Sequence, residues 1–147
     1  MPKNSGAIDQ AVYEALAGDA ALGALMPDGV YFDRAPQGSA RFVVVTLVPG
    51  GPDVYAFDGY GIETLLYRVA ATVLATQVDA ANAAAVRIDA VLHDQTPATF
   101  PIAGYKVMRS ERTEPLTEPR SLDDPENTSV RWLQRGGYYR IQVQPDV

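Results

Sequence analysis

The chain has 147 residues, no cysteine and a formal net charge of −6 at pH 7. The absence of cysteine excludes disulfide bonds, thiolate nucleophiles and cysteine-ligated metal sites. The acidic balance disfavours phosphate-driven binding of nucleic acid, which needs clustered Lys and Arg side chains. The length fits one domain over residues 1–147, and a hydrophobic content of 47% is enough for a packed core.

No segment has the pattern of a targeting or membrane-spanning sequence. The N-terminal residues lead into a mixed polar and apolar stretch without the apolar core of a signal peptide. The longest apolar run, residues 65–75, contains Arg68 and is shorter than the roughly 18 residues that a membrane span needs. We therefore expect a protein that acts in the cytoplasm or in the assembly that carries it.

Helical spacing predicts a first helix near the N-terminus. Its apolar residues recur on one face: Ile8, Val12, Ala15 and Leu16. Asn4 or Ser5 can cap this helix, and Asp19 can cap a further helical turn. Residues 27–29, Pro-Asp-Gly, then predict a turn.

Strand patterns follow this turn. Residues 30–32 predict a short strand, and residues 42–48 are apolar on both parities, which is typical of a central strand with both faces covered. Residues 49–53, Pro-Gly-Gly-Pro-Asp, predict a turn, after which residues 54–57 could complete a hairpin.

Residues 62–76 fit either a strand or a helix, because periodicity alone does not separate the two. As a strand, the segment has an apolar face made of Leu65, Tyr67, Val69, Ala71 and Val73. Its β-branched residues are frequent in strands. We therefore predict a strand here.

The second half of the chain begins with a predicted helix over residues 78–92, with Asp79 at or near its N-cap. Small residues in its buried stripe let the helix lie close to a sheet: Ala81, Ala84, Ala85, Ile88 and Leu92. Residues 105–112 predict a strand with Tyr105 and Val107 on one face, to which Arg109 could be added. Residues 114–127 contain several prolines and charges, and they predict a long exposed loop.

The last predicted strand, residues 128–144, contains the pair Gly136-Gly137. Its apolar residues lie on even positions before the glycines and on odd positions after them: Val130, Trp132, Tyr139, Ile141 and Val143. A one-residue bulge in a single long strand would restore the facing. A tight hairpin at the glycines would instead set Trp132 opposite Ile141. The parity leaves both structures open, and both place the same apolar residues in the core.

We identify no catalytic, cofactor-binding or metal-binding constellation and no internal repeat in the sequence. His93, the one histidine, is interpreted as a surface residue at a helix end. Asp123, Asp124 and Glu126 lack EF-hand spacing and predict a solvated acidic loop. Glutamates lie among the C-terminal arginines, which predicts paired surface charges rather than a nucleic-acid stripe. These arginines are Arg109, Arg112, Arg131, Arg135 and Arg140.

Several stretches occur in an order found in one protein family. They are residues 8–25, Gly29-Val30-Tyr31, residues 35–38, Phe42 to Val45, residues 80–93, residues 104–107, Val130-Arg131-Trp132 and residues 137–141. In this order they resemble the tail-terminator (tail-completion) proteins of long-tailed bacteriophages, over nearly the whole chain. The ordered combination carries the resemblance, since each motif alone is unspecific. Residues 59–76 depart from the family, because the usual aromatic residue before the helix is missing.

The predicted elements and the resemblance together indicate an α+β fold, with a mainly antiparallel sheet and helices packed on one face. The resemblance favours one long C-terminal strand with a bulge at Gly136-Gly137 over the hairpin. It also implies that Tyr138, Arg140 and Gln142 face outward on a ring-forming sheet.

For function, the resemblance implies a structural virion protein at the head–tail junction, assembled in the host cytoplasm, that forms a ring expected to hold six copies. Such a ring caps the tail tube, ends tube polymerisation and contacts both the tail-tube protein and the head-side neck or connector protein. DNA passes through its lumen without sequence-specific binding, and the protein needs no cofactor, no membrane and no catalysis. The alternatives are another phage neck, head-completion or tail-tube protein, and, more distantly, a small-molecule-binding domain or an enzyme.

A ring of this kind needs loops that meet different partners above and below it. We predict two such loops, one on each side of the strand-rich middle of the chain. The candidate partner-interface residues are Pro49, Gly50, Gly51, Pro52, Asp53, Glu114, Pro115, Leu116, Thr117, Glu118, Pro119, Arg120, Asp123 and Asp124.

Overall fold

The computed structural model describes residues 5–48, 54–55, 61–116, 122–123 and 131–145, and they form the predicted α+β fold. The helices are α1 (Ser5–Ala17), α2 (Ala20–Leu25) and α3 (Val78–Leu92), with a 3₁₀ helix at Ala75–Gln77 before α3. The strands are β1 (Val30–Phe32), β2 (Phe42–Val48), β3 (Val54–Tyr55), β4 (Gly61–Leu74), β5 (Tyr105–Pro115), β6 (Leu122–Asp123) and β7 (Arg131–Pro145).

The strands form one mixed sheet. Its main path runs β1-β2-β4-β7-β5, with β3 beside β4 and β6 beside β7. β1 is parallel to β2, and the other pairs are antiparallel. The predicted mainly antiparallel sheet is therefore confirmed.

The two long central strands are each flanked by a strand that is interrupted once. β2 and β3 both pair with β4, and β5 and β6 both pair with β7. β4 and β7 pair antiparallel with each other, which joins the two groups into one sheet.

The helix-facing side of β4 confirms the strand predicted for residues 62–76. Its apolar residues are all buried: Leu65, Tyr67, Val69, Ala71 and Val73. The strand ends at Leu74, and the last two residues of the predicted segment belong to the 3₁₀ helix. On the other side of β4, Leu66 and Arg68 are half-buried, whereas Thr64, Ala70 and Thr72 are buried as well.

Helix α3 has the predicted bounds. Ala81 and Ala84 have no exposed surface, and Ile88 and Leu92 are equally buried, whereas Ala85 of the predicted stripe is only half-buried. The N-cap position is Gln77, without a side-chain cap bond, so Asp79 lies in the first turn rather than at the cap. A negative charge in that turn still favours the helix dipole.

Asp19 joins α2 to α3. As predicted it is the N-cap of α2, where its carboxylate accepts a hydrogen bond from the Leu22 N–H at 3.0 Å. The same carboxylate accepts from Arg87 of α3, at 2.7 Å from Nη2 and 3.1 Å from Nε. The Arg87 guanidinium holds the pKa of Asp19 below its ordinary value.

Two tyrosines hold the helices on one face of the sheet. Tyr67 of β4 lies directly opposite Tyr139 of β7, and both side chains are buried. The Tyr67 hydroxyl donates to Asp9 of α1 at 2.6 Å, and the Tyr139 hydroxyl donates to Asp89 of α3 at 3.0 Å. Since opposite residues of a ladder share a face, α1 and α3 pack on the same side, which confirms helices on one face.

β7 is one long strand, as the resemblance implied, but the predicted bulge at Gly136-Gly137 is not in its own backbone pairing. The register against β4 runs without a shift from Val143 to Trp132. A Cβ atom on Gly136, which has φ of +149°, would lie 2.0 Å from the Val69 carbonyl oxygen. The glycines therefore permit close approach of the neighbouring backbones rather than an inserted residue.

The apparent change of parity in β7 arises when Val130 and Trp132, rather than Leu133, are counted as the core residues before the glycines. Leu133 is buried on the helix side together with Tyr139, Ile141 and Val143, so odd positions face the core on both sides of the glycines. Trp132 lies on the opposite side and is only half-buried, and Val130 lies outside the described residues. Trp132 was therefore wrongly placed in the core, whereas the outward facing of Tyr138, Arg140 and Gln142 is confirmed.

The register irregularities lie in β5 instead. Its pairing with β7 shifts between Val107 and Arg109 and again between Arg112 and Glu114, so Met108 and Thr113 are the extra residues. The first shift turns Arg109 away from the face of Tyr105 and Val107, which corrects the possible grouping of these three. Bulges and charges at an edge discourage pairing with a further strand.

Other boundaries differ from the sequence predictions. Alternate residues of β2 are buried and half-buried, and Leu47 is 44% exposed, so its two faces are not both covered. β3 pairs with β4 rather than forming a hairpin with β2. Within the predicted loop 114–127, Glu114 and Pro115 end β5, and Leu122–Asp123 pair with β7.

We predict that Gly136→Ala destabilises the protein by about 3 kcal/mol or more, because the new methyl group meets the fixed carbonyl of Val69. Urea unfolding monitored by circular dichroism measures the change. Gly38→Ala is the matched control: its φ is +91° but nothing lies within 4 Å of the added Cβ. We expect it to cost about 1 kcal/mol from backbone strain alone. Equal losses for the two variants would contradict the steric argument.

We also predict an alkaline loss of stability that depends on Tyr67 and Tyr139. Burial, together with the carboxylates of Asp9 and Asp89 respectively, raises the pKa of both phenols above the ordinary value of 10.0. The folded state therefore keeps protons that the unfolded chain loses above about pH 10, so each tyrosine removes about 1 kcal/mol of stability by about pH 11.

The control for this prediction is the double variant Tyr67→Phe/Tyr139→Phe. It should be less stable than the natural protein near neutral pH, since two hydrogen bonds to carboxylates are lost. It should lose less stability between about pH 8 and pH 11, because these two buried phenols are no longer there to ionise. Parallel alkaline losses in the two proteins would show that other groups control the effect.

Candidate assembly surfaces

The sheet has a second side on which none of the described helices packs, and we call it the open face. Directly opposite residues share a side, so the register defines this face across four strands. It consists of Phe42, Val44, Thr46 and Val48 of β2; Thr64, Leu66, Arg68, Ala70, Thr72 and Leu74 of β4; Trp132, Gln134, Gly136, Tyr138, Arg140, Gln142 and Gln144 of β7; and Lys106, Arg109, Glu111 and Glu114 of β5.

Long polar side chains lie flat across the open face and cover shorter ones. Gln134 accepts a hydrogen bond from Arg68 Nη2 at 2.8 Å and donates to the Thr72 hydroxyl at 3.2 Å. Gln142 donates to the Thr64 hydroxyl at 3.4 Å. Thr64 and Thr72 are each only 5% exposed although no helix covers them. The β4–β7 part of the open face therefore carries a hydrogen-bonded polar network, next to apolar side chains such as Phe42, Val44, Leu66 and Trp132.

At the β5 side of this surface, Glu111 lies between two arginines. Its carboxylate accepts from Arg140 Nη2 at 2.5 Å and contacts Arg109 Nη2 at 2.7 Å, and its side chain is 18% exposed. The Arg140 hydrogen bond and the nearby Arg109 charge lower the pKa of Glu111 below its ordinary value. Arg109 and Arg140 are thus paired with a carboxylate as predicted, and Arg112 likewise lies 3.7 Å from Asp89. Arg135 instead donates to the Gln134 carbonyl at 3.0 Å, and the Arg131 side chain lies outside what the structure describes.

A cleft of about 500 Å³ lies at one corner of the open face, under residues 33–39. The rings of Phe42 and Trp132 meet there, tilted at 59° with centroids 5.9 Å apart. Arg68 and Gln134 line the cleft as well, so its wall combines aromatic and hydrogen-bonding groups. Among the C-terminal aromatic residues, Tyr139 is a core residue, whereas Trp132 and Tyr138 lie on the open face.

The two candidate interface loops fall on the two interruptions of the flanking strands. The first separates Val48, paired with Leu66, from Val54, paired with Ile62. The second separates Pro115, paired with Gly137, from Leu122, paired with Trp132. Along β4, the first interruption lies beside residues 63–65, and the second lies beside β7 residues 133–136, which pair with residues 70–73. Their midpoints are therefore roughly 25 Å apart at about 3.3 Å a residue. The interruptions therefore lie toward opposite ends of the sheet.

Four of the candidate partner-interface residues lie among the described residues. Glu114 is exposed on β5, Pro115 ends that strand, and the Leu116 N–H donates to the Gly136 carbonyl at 2.9 Å. The backbone of Asp123 pairs with Arg131. The remaining candidates lie outside the described residues: Pro49, Gly50, Gly51, Pro52, Asp53, Thr117, Glu118, Pro119, Arg120 and Asp124.

His93 and the residues after it cover the outer edge of β5. The exposed His93 ends α3, and its Nδ1 accepts a hydrogen bond from the Arg112 N–H at 3.1 Å. The Asp94 N–H donates to the Ser110 carbonyl at 2.7 Å, and the Gln95 N–H donates to the Ser110 hydroxyl at 2.8 Å. The interpretation of His93 as a surface residue at a helix end is confirmed, with an edge contact that its sequence position did not indicate.

The described residues contain neither a metal-binding cluster nor a helix that could span a membrane. In the part of the chain that the structure describes, no group of three or more His, Asp or Glu residues is arranged to hold a metal ion. Among those same residues, no helix is both long and apolar enough to cross a bilayer.

Sequence reasoning missed the polar network of the open face. A signal for it exists: Gln134, Gln142 and Gln144 alternate with the buried Leu133, Ile141 and Val143. The apparent parity change at the glycines hid this alternation.

We predict that Glu111 contributes stability that disappears in acid. A lowered folded pKa means that this contribution is present above the ordinary pKa of 4.5 and is lost as pH falls through the folded value. Between about pH 5 and pH 3 the natural protein should lose up to about 1 kcal/mol more than Glu111→Gln, a small effect because the pair is near the surface. Urea unfolding at both pH values measures it. Arg140→Gln should remove most of the difference, and an unchanged difference in that variant would exclude Arg140 as its main cause.

Comparison with known proteins agrees with this architecture. The fold is similar to that of a chain in the solved structure "Virion of native gene transfer agent (GTA) particle", with a TM-score of 0.68 and 21% sequence identity, covering 95% of this chain and 96% of that chain. No curated protein matches the sequence. The family model for tail completion protein gp17 matches residues 10–136, which is most of the chain. The protein therefore belongs to the tail completion protein gp17 family and is a structural protein of the phage tail, located in the virion.

Proposed function

We propose that six copies of this protein form a ring on the end of the finished tail tube, stop tube polymerisation and join the tail to the head-side neck. DNA then passes through the lumen of the ring. The observation that carries the proposal is the position of the two strand interruptions, toward opposite ends of one continuous ladder.

A component between tube and neck has to contact different proteins on opposite sides. In this chain β2 ends at Val48, opposite Leu66, and β3 begins at Val54, opposite Ile62. β5 ends at Pro115, opposite Gly137, and β6 begins at Leu122, opposite Trp132. Between them, β4 and β7 keep one register, so the two contact segments are held at a fixed separation. This arrangement supports one partner at each end of the sheet.

Ring closure requires heterologous contacts that do not continue indefinitely. The outer edge of β5 is covered by His93–Gln95 through backbone and side-chain hydrogen bonds, and bulges interrupt its register. An edge of this kind resists extension of the sheet into a neighbouring copy. Contacts between copies therefore use side chains and loops, which set an angle and can close a ring.

In this role the protein catalyses no reaction and uses no cofactor. Its interactions are with further copies of itself, with the tail-tube protein and with the neck or connector protein. The net charge of −6 suits a passage through which DNA moves without being held.

We predict that native mass spectrometry of the cap released from purified tails gives six copies. The purified protein alone should be a monomer or a weak oligomer that assembles on tube ends, because the tube supplies part of the contact surface. A stable dimer in solution with no ring in tails would refute the proposal.

The two interruptions should serve different partners. We predict that replacing residues 117–121 by glycine and serine leaves the unfolding midpoint unchanged but abolishes head–tail joining, giving capped tails of normal length beside filled heads. The same replacement of residues 49–53 should give tubes of uncontrolled length. Electron microscopy of lysates scores both, and the matched replacements control for loop composition. Normal virions from either variant would remove that segment from the proposed contacts.

A further inference from the structure

We propose that the open face is the wall of the DNA passage, so that double-stranded DNA slides past β4 and β7 on the side opposite the helices. This inference rests on the proposed function, since it needs a ring that encloses DNA. It adds which surface of the subunit faces the lumen, and it depends on the hydrogen bonding and the charge of the described residues.

The polar side chains of the open face are hydrogen-bonded to one another in a way that suits contact with water. Gln134 bonds both Arg68 and Thr72, and Gln142 bonds Thr64. Burying this network in a dry protein interface would remove water from amide groups that need further hydrogen-bond partners, at a cost of about 1–3 kcal/mol for each group left unsatisfied. A hydrated passage imposes no such cost.

The two sides of the subunit differ in the sign of their charge. On the open face, Lys106, Arg68, Arg109 and Arg140 outnumber Glu111 and Glu114. On the helical side, acidic residues outnumber basic ones: Asp9, Glu14, Asp19, Glu63, Asp79 and Asp89 against Arg87, Arg112 and Arg135. DNA phosphates are therefore repelled by the helical side and weakly attracted by the open face.

The attraction between the open face and DNA phosphates is limited. Glu111 accepts from Arg140 and contacts Arg109, and the Arg68 guanidinium is bonded to Gln134. Paired cations contribute fewer phosphate contacts, and the affinity for DNA falls steeply as those contacts are lost. Arg109 and Arg140 share one carboxylate and Arg68 keeps its charge, so a weak attraction for phosphates remains that does not arrest DNA.

The test uses the absence of cysteine from the chain, which allows a single reactive thiol to be introduced. Gln142→Cys and Thr46→Cys place it on the open face, and Val86→Cys, at a position 68% exposed on α3, is the matched control. Virions carrying each variant are labelled with a thiol-reactive aryl azide and irradiated while they are triggered to release their DNA. Denaturing gels then score protein–DNA adducts.

We expect DNA adducts from Gln142→Cys and Thr46→Cys, and none from Val86→Cys above the cysteine-free parent. Virion yield and the mass of the released cap verify that each variant has assembled. Adducts from Val86→Cys alone, or no adduct from either open-face position, in virions whose cap has six copies would overturn the inference and leave the proposed ring intact. A cap that is not a ring would instead overturn the proposed function itself.

Discussion

The unbroken ladder between β4 and β7 is the constraint on which the rest of the structure depends. It pairs Glu63–Leu74 with Trp132–Val143 in one register, and each strand then offers its other edge to an interrupted partner. A shift of one residue would turn Tyr67 and Tyr139 away from the helices and expose the core. Gly136 secures the register locally, because any side chain there would collide with the backbone of β4.

The ladder separates two chemically different surfaces. On one side, the paired tyrosines reach the carboxylates of Asp9 and Asp89, so polar contacts as well as apolar burial hold the helices in place. On the other side, glutamine, threonine and arginine side chains satisfy one another in the plane of the sheet. The first surface stabilises the subunit, and the second remains available to solvent and to partners.

A tail protein that polymerised through its sheet edges would not end a structure. In this chain the edge strand β5 contains extra residues at Met108 and Thr113, and the segment after α3 occupies its backbone groups at Ser110 and Arg112. A covered edge of this kind discourages pairing with a further strand.

The sequence by itself determined the elements whose signals are local. The spacing of alanines and aliphatic residues predicts α3 from Val78 to Leu92, β-branched residues predict β4, and Asp19 is recognisable as a helix cap. The family is likewise visible, because the order of short motifs survives in the chain. These features depend on neighbouring residues and on backbone preferences that act within a few positions.

Only the tertiary structure decided what depends on pairing between distant strands. The parity of β7 pointed to a bulge at Gly136-Gly137, but the extra residues are in β5, and the glycines respond to the close backbone of Val69. Gln134 and Arg68 lie 66 positions apart in the chain, so their contact leaves no local pattern to read. The places of the two candidate loops along the sheet follow only from the register, since sequence distance carries no information about position across a ladder.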